Sequence, residues 1–388
     1  DLYELDLHRP CIDDLRLVDE KNEPMTRIPE VVDCWVESGA MPFAEYHYPF
    51  ENQGTFEKRA PGDFIAEYIA QTRTWFYYTH ALGVLLFNRL AFKNVVTTGN
   101  ILAADGSKMS KPKQNYSAPY DLFDRYGADA FRYYLMSSVV MQAEDFNFKD
   151  EDLRDAHNRV VNILRNTYSF YRLYEKDAPA PSSASKHILD RWILARLEEI
   201  IETTTEALDR FDTIRATRPL REFIDDFSTW YVRRSRERIK GDDAADKKAA
   251  LGTMRYVLRE FSKIIAPVMP FIADEIYQGV RADDEPESVH LAEWPTTKGI
   301  FIWGLFGPSK STESILEEML EVRAVVSMAL EDRQKAGIKV RQPLNRLEIR
   351  SPKLSGKQDL LDLIKAEVNV KDVTENLNLK SFIELDTT

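Results

Sequence analysis

The sequence is short of cysteine and histidine. Cys11 and Cys34 are the only cysteines among 388 residues, too few for a disulfide framework or a four-cysteine zinc site. The six histidines are scattered, and His8 has no histidine or cysteine at metal-ligand spacing, so no protein-bound metal, zinc included, is expected. Positive charge is in deficit. Lys and Arg number 52 against 64 Asp and Glu, a net charge of −12. That balance weighs against a polyanion-binding surface spread over the whole chain but leaves room for a local basic face. No apolar run reaches bilayer-spanning length. No G-x-x-x-x-G-K-[ST] pattern occurs, which excludes a P-loop NTPase. There is no signal peptide, and the opening at Asp1 reads as mid-domain sequence. The expectation is a cytoplasmic piece of a longer protein, in a reducing compartment.

What is present is ordinary in bulk: 44% hydrophobic and 30% charged residues, at a length that suggests two to four domains. The exception is local. Val95, Val96, Thr97 and Thr98 form a β-branched run that predicts a buried strand. Asp105-Gly106 then signals a turn. Lys108, Lys111 and Lys113 follow within six residues and, with Asp105, give a local charge of +2. Such a loop taken alone is most simply a solvated surface. After a strand, it can instead bring ammonium groups to phosphates as point charges.

Apolar residues from Phe64 to Leu86 recur at helical spacing and predict one long helix over 62–90. On it Glu67, Gln71 and Trp75 are four apart and share a face. That stripe suits a zwitterion with an apolar tail, or is an ordinary amphipathic helix. Trp35 is a core anchor or a pocket wall. Pro119 starts a helix that breaks at Gly127, and 152–174 predicts a long one. KDAPAPSSAS (176–185) reads as a linker. Four helices follow between 187 and 280, and short loops argue an antiparallel bundle. Pro219 and Pro267 mark kinks or boundaries. Arg233, Arg234, Arg236, Arg238 and Lys240, with Glu237, make the strongest basic cluster, net +4. It is a solvated face or a phosphate-contacting one, with Trp230 or Tyr231 stacking on splayed bases. After a helix over 309–336, LEIR, SGKQDLLDLIKAEVNV and KSFIEL predict a small α/β appendage.

KMSKP (108–112) resembles the KMSKS signature of class I aminoacyl-tRNA synthetases. PEVVDCWVESGAMPFA (29–44), PGDFIAEYIAQTRTWFYYTHALGVLLF (61–87), YGADAFRYYLMSS (126–138), WYVRRSRERIK (230–240) and GIKVRQPL (337–344) are similar to segments of the isoleucyl-tRNA synthetases, in the same order. The resemblance implies an α/β plus all-α fold. Residues 1–28 would be the strand returning from an editing insert. Residues 29–118 would be the second half of a Rossmann-like catalytic domain, 119–176 stem-contact helices, 186–296 an anticodon-binding bundle, and 297–388 the appendage. It implies ATP with Mg2+, L-isoleucine and tRNA(Ile) as substrates of a monomeric ligase. Lys108 and Lys111 would be catalytic. ATP would meet Lys108, Met109, Ser110, Lys111 and Glu67, and the amino acid Trp35, Gln71 and Trp75. The tRNA would meet Trp230, Arg233, Arg234, Arg236, Arg238 and Lys240. The family's H-x-G-H half is absent here, so this chain alone would be inactive. Pro112, Tyr68 and Ala70 depart from the family pattern. A valine- or leucine-type synthetase and a non-catalytic tRNA-binding module are the competing readings.

Overall fold

The computed structural model describes residue 6 and residues 10–30, 34–110, 112–296 and 310–386. His8 and Lys111 lie outside the described residues. Two compact units divide the chain, Asp1–Val95 and Val96–Thr388.

In the first unit, α1 (Trp35–Gly39), α2 (Met41–Ala44) and α3 (Gln53–Arg59) precede β1 (Ile65–Tyr68), a 3-10 turn (Ile69–Arg73) and α4 (Trp75–Phe87). The single helix expected over 62–90 is therefore three elements. Segment 62–65 is drawn out by a neighbour. Gly62 bridges Phe92 in parallel, and the Ile65 amide donates to the Asn94 carbonyl at 3.0 Å. Once those peptide groups pair outside the segment, they cannot close helical turns. Thr74, at φ −128° and ψ −103°, separates the 3-10 turn from α4. The returning strand expected in 1–28 is absent among the described residues, where an isolated Val18–Pro24 bridge closes a turn.

The core of this unit is aromatic. Phe56 lies 4.6 Å from Tyr48 and 5.1 Å from Phe87, ring centre to ring centre, and Arg89 covers it at 4.8 Å. Helix α1 packs on α4 through Gly39. A Cβ there would stand 2.9 Å from Tyr78 Cβ and 3.0 Å from its carbonyl carbon, so no larger residue permits this approach.

Strand β2 (Val95–Thr98) begins on the last residue of the first unit and leads to β3 (Ile101–Leu102) of the second, which pairs in parallel with β4 (Phe146–Asn147). Between them lie α5 (Pro119–Tyr126) and α6 (Ala128–Met136). Gly127 breaks the two helices with φ +81°, where a side chain is unfavourable. Helices α7 (Asp150–Ala156) and α8 (Ile163–Arg172) flank a π segment (His157–Asn162).

The bundle comprises α9 (Ile188–Asp209), α10 (Thr213–Asp225), a π segment (Asp226–Val232), α11 (Arg233–Lys240), α12 (Ala244–Ile265) and α13 (Pro270–Val280). Its starts are written locally. Asp212 accepts from the Arg215 amide, and Asp243 from those of Ala245 and Asp246. Pro219 sits inside α10. Trp192, Phe223, Phe227, Tyr231 and Phe261 are almost wholly buried, each such ring contributing on the order of 1.5–3 kcal/mol of transfer free energy. The 176–185 linker is strapped to α12. Ser182 donates its amide to the Gly252 carbonyl at 3.0 Å, and Arg255 donates to the Pro179 carbonyl at 3.1 Å.

Beyond the bundle, α14 (Lys310–Lys335) packs on α9. Strands β5 (Leu344–Ile349), β6 (Val370–Glu375) and β7 (Ile383–Leu385) form one sheet in the order β6-β5-β7, with α15 (Gln358–Val368) between β5 and β6. The β5–β6 pair is parallel and the β5–β7 pair antiparallel.

Candidate functional site

In the first unit, Trp35 and Trp75 each open a helix, α1 and α4. The Trp75 indole N–H donates to the Ser38 carbonyl at 2.9 Å, which fastens its ring to α1. Gln71 lies in the 3-10 turn, not one helical turn below Trp75. Its Oε1 accepts from the Thr74 hydroxyl and from the Trp75 amide at 3.1 Å. Gln71 thus closes the start of α4, satisfying an amide that the helix cannot. Glu67 is exposed on β1 and accepts from the Tyr68 amide at 3.3 Å. Gln71 and Trp75 thus meet at the start of α4, Trp75 is bonded to the helix that Trp35 opens, and Glu67 lies on the preceding strand.

The lysine loop of the second unit is a built structure. Asp105 accepts from the Ser107 amide at 2.9 Å. That amide, and then the Ser107 hydroxyl, hold the Asp105 carboxyl below its ordinary value. Gly106 takes φ +80°, and Leu102 bridges Lys108 across the turn. Lys108 is exposed, whereas Met109 is half-buried against the core. Asn115 spans the loop. Its Oδ1 accepts from the Ser110 amide at 3.0 Å, and its Nδ2 donates to Ser107 Oγ at 2.9 Å and to the Lys108 carbonyl at 3.2 Å. A lone asparagine beyond a lysine run gave no signal in the sequence.

The basic cluster on α11 is largely paired within the fold. Arg238 Nη1 and Nη2 donate to Asp190 at 2.8 and 2.9 Å, and Nη2 to Asp246 at 2.7 Å. Its side chain is 10% exposed and that of Asp190 is 0% exposed, so it cannot reach a phosphate. Arg233 and Arg234 pair with Glu367 of α15 at 2.7 and 3.2 Å. Trp230 packs edge-on against Trp192 and is covered by Arg323 at 5.6 Å. Tyr231 is fully buried, and its hydroxyl donates to the Ala250 carbonyl at 3.0 Å. Arg236 and Lys240 are exposed. These two are the members of the cluster best placed for an anionic ligand.

YGADAFRYYLMSS also acquires a physical role. Buried Asp129 accepts from the amides of Phe271 and Ile272 at 3.2 and 2.7 Å, at the start of α13. Burial raises its carboxyl above the ordinary value, against those two amides. Arg132 donates to the carbonyls of Val268 and Pro267 at 2.9 and 2.8 Å. Thr217 and Arg218 of α10 donate to the carbonyls of Met136 and Ser137 at the end of α6. Helix α6 is therefore clamped to the bundle at both ends.

Among the described residues, no group of three or more His, Cys, Asp or Glu is placed to hold a metal ion, and no helix is long and apolar enough to cross a membrane.

Two family models match the chain in succession. Residues 3–147 match tRNA synthetases class I (I, L, M and V), and residues 190–349 match the anticodon-binding domain of tRNA ligase. The chain belongs to the class I aminoacyl-tRNA synthetases. Within that family it is 41% identical over 377 residues to an isoleucine–tRNA ligase of Chlamydia trachomatis, which covers 95% of this chain and 35% of that protein. It is 39% identical over 393 residues to that of Treponema pallidum, with the same coverage. The chain thus spans about a third of the length of these relatives. Two solved synthetases share the fold at 20% identity. One is LeuRS of Agrobacterium radiobacter K84 in a ternary complex with tRNA and LeuAMS, with a TM-score of 0.55 over 72% of this chain and 35% of that one. The other is the methionyl-tRNA synthetase of Mycobacterium tuberculosis with methionyl-adenylate, with a TM-score of 0.51 over 64% and 51%. The anticodon-binding match runs through α14 and β5, segments that the sequence reading had set apart in the appendage.

Proposed function

We propose that the chain is part of an isoleucine–tRNA ligase, supplying its phosphate-facing lysine loop and its anticodon-binding bundle. One observation carries the reading: identity near 40% to isoleucine–tRNA ligases, continuous over 95% of the chain. In the reaction, ATP with Mg2+ and L-isoleucine give an aminoacyl-adenylate and pyrophosphate, and the isoleucyl group then passes to tRNA(Ile). Negative charge builds on the leaving phosphates. Lys108 and Lys111 stabilise that charge more in the transition state than in the ground state, which lowers the barrier. Ser110 and Met109 set the loop's course beside them. Trp35, Gln71, Trp75 and Glu67 serve the amino acid and its adenylate. One methylene separates isoleucine from valine and is worth only about 1–3 kcal/mol, so an apolar wall such as Trp75 cannot discriminate strongly by itself. On the bundle, Arg236 and Lys240 are the phosphate contacts, and the chain acts as a cytoplasmic monomer.

The test is pre-steady-state adenylate formation by the product of the longest open reading frame that encodes this chain. Lys108→Ala slows that step at least about tenfold, roughly 1.4 kcal/mol of transition-state stabilisation, with tRNA affinity little changed. An unchanged rate would remove Lys108 from the chemistry, and absent isoleucine-dependent activity in the unsubstituted protein would overturn the reading.

A further inference from the structure

We infer that Asn115 is a positioning residue that holds Lys108 in its phosphate-facing geometry, an inference that rests on the proposed role of the lysine loop. An exposed lysine has four rotatable bonds and a mobile backbone. It stabilises a developing charge well only if the backbone beneath it is already fixed, because reorganisation during the reaction would consume the gain. In this loop, Asn115 does the fixing. Its one amide group closes three contacts around Lys108: the hydroxyl of the residue before it, its own carbonyl, and the amide of Ser110 two residues on. Both polar ends of the side chain are used, with Oδ1 accepting and Nδ2 donating twice. Neither aspartate nor leucine, its near-isosteres, offers that combination.

The surrounding chain is arranged to deliver it. Lys113 and Gln114 donate their amides to the Ser110 carbonyl at 3.2 and 3.1 Å. Gln114 takes φ +48°, an uncommon left-handed conformation for a residue with a side chain. That reversal turns Asn115 back over residues 107–110. On the far side, Ser117 donates to Asp150 at 2.8 Å, which anchors the exit of the loop to α7. The backbone of Lys108 is thus held by the Leu102 bridge on one side and by Asn115 on the other.

The experiment is isoleucine-dependent ATP–pyrophosphate exchange by the product of the longest open reading frame encoding this chain, with Lys108→Ala, Asn115→Ala, Asn115→Asp and the double variant Lys108→Ala with Asn115→Ala. Asn115→Ala is expected to lower kcat about tenfold with KM for isoleucine unchanged within about twofold, since the lost preorganisation is felt mainly in the transition state. Asn115→Asp keeps the acceptor for the Ser110 amide and falls between; it replaces the alanine variant in the cycle if that protein does not fold. The double variant is expected to be no slower than Lys108→Ala alone, which a merely structural role would not produce. Full activity of Asn115→Ala beside a slow Lys108→Ala, or losses that multiply in the double variant, would overturn the inference and leave the proposed function standing. Unaffected exchange in Lys108→Ala, or no exchange in the unsubstituted protein, would overturn both.

Discussion

Arg238→Met separates a structural arginine from a tRNA-binding one. The substitution removes both bonds to Asp190, at 2.8 and 2.9 Å, and those to Asp246. Asp190 is fully buried and keeps Ser185 as a donor, so its charge stays largely uncompensated. Removing one partner of such a pair costs about 3–5 kcal/mol. Asp246 is a third exposed and rehydrates, so its lost pair adds only about 0–1 kcal/mol. At roughly 2–4 °C per kcal/mol for a domain of this order of size, Tm falls by roughly 6–24 °C. Adding Asp190→Asn recovers part of the loss, because two neutral groups replace a stranded charge. The assay is calorimetric unfolding of the 388-residue chain, with tRNA binding measured over a salt series on the same samples. A phosphate contact would behave oppositely. Tm would barely move, while the slope of log K against log salt would shrink by about 1. That second pattern would refute the assignment of Arg238 to the core.

Two further expectations can be checked on the same chain. Gly39→Val places its Cβ against the Cβ and carbonyl carbon of Tyr78, which cannot yield; about 1–3 kcal/mol of overpacking should loosen α1 from α4, seen as faster proteolytic cleavage within residues 35–87, and unchanged cleavage would contradict the close approach. The Arg238 hydrogen bonds hold the Asp246 carboxyl below its ordinary 3.8. Its contribution to stability is therefore complete above the unfolded-state value and lost as pH falls through the depressed folded value. Between about pH 5 and pH 3, Tm of the unsubstituted chain should fall more steeply than that of Asp246→Asn; parallel curves would show that the pair is not linked to folding.

Many of the helix boundaries were legible because their signals are local. Asp212 and Asp243 lie within three residues of the amides they cap, Pro119 and Pro270 occupy first helical turns, and Gly127 meets a φ that excludes side chains. The strand at 65–68 was not legible. Its four residues fit helical and strand periods equally, and the outcome was decided by Asn94, some thirty residues on. The pairing of the basic cluster was hidden for the same reason. Counting charges finds five cations on about two turns of helix, but Asp190 is 48 residues away and Glu367 is 134 away from the arginines they neutralise. The lysine loop was visible as composition, whereas the asparagine that braces it carries no charge and follows no periodicity.

The strap at 176–185 bears on how this protein can be dissected. Composition marks it as the place to cut, yet Gly252 is shaped to receive it. A Cβ on Gly252 would lie 3.1 Å from Pro179 Cγ, and Arg255 and the Gly252 carbonyl are both bonded to the strap. A helical fragment starting at residue 186 would open a furrow along α12 and strand those polar groups, whereas one starting before Ala178 would carry its own cover. Chimeras that exchange this bundle between synthetases should therefore be joined upstream of Pro179, with the strap and α12 taken from the same parent.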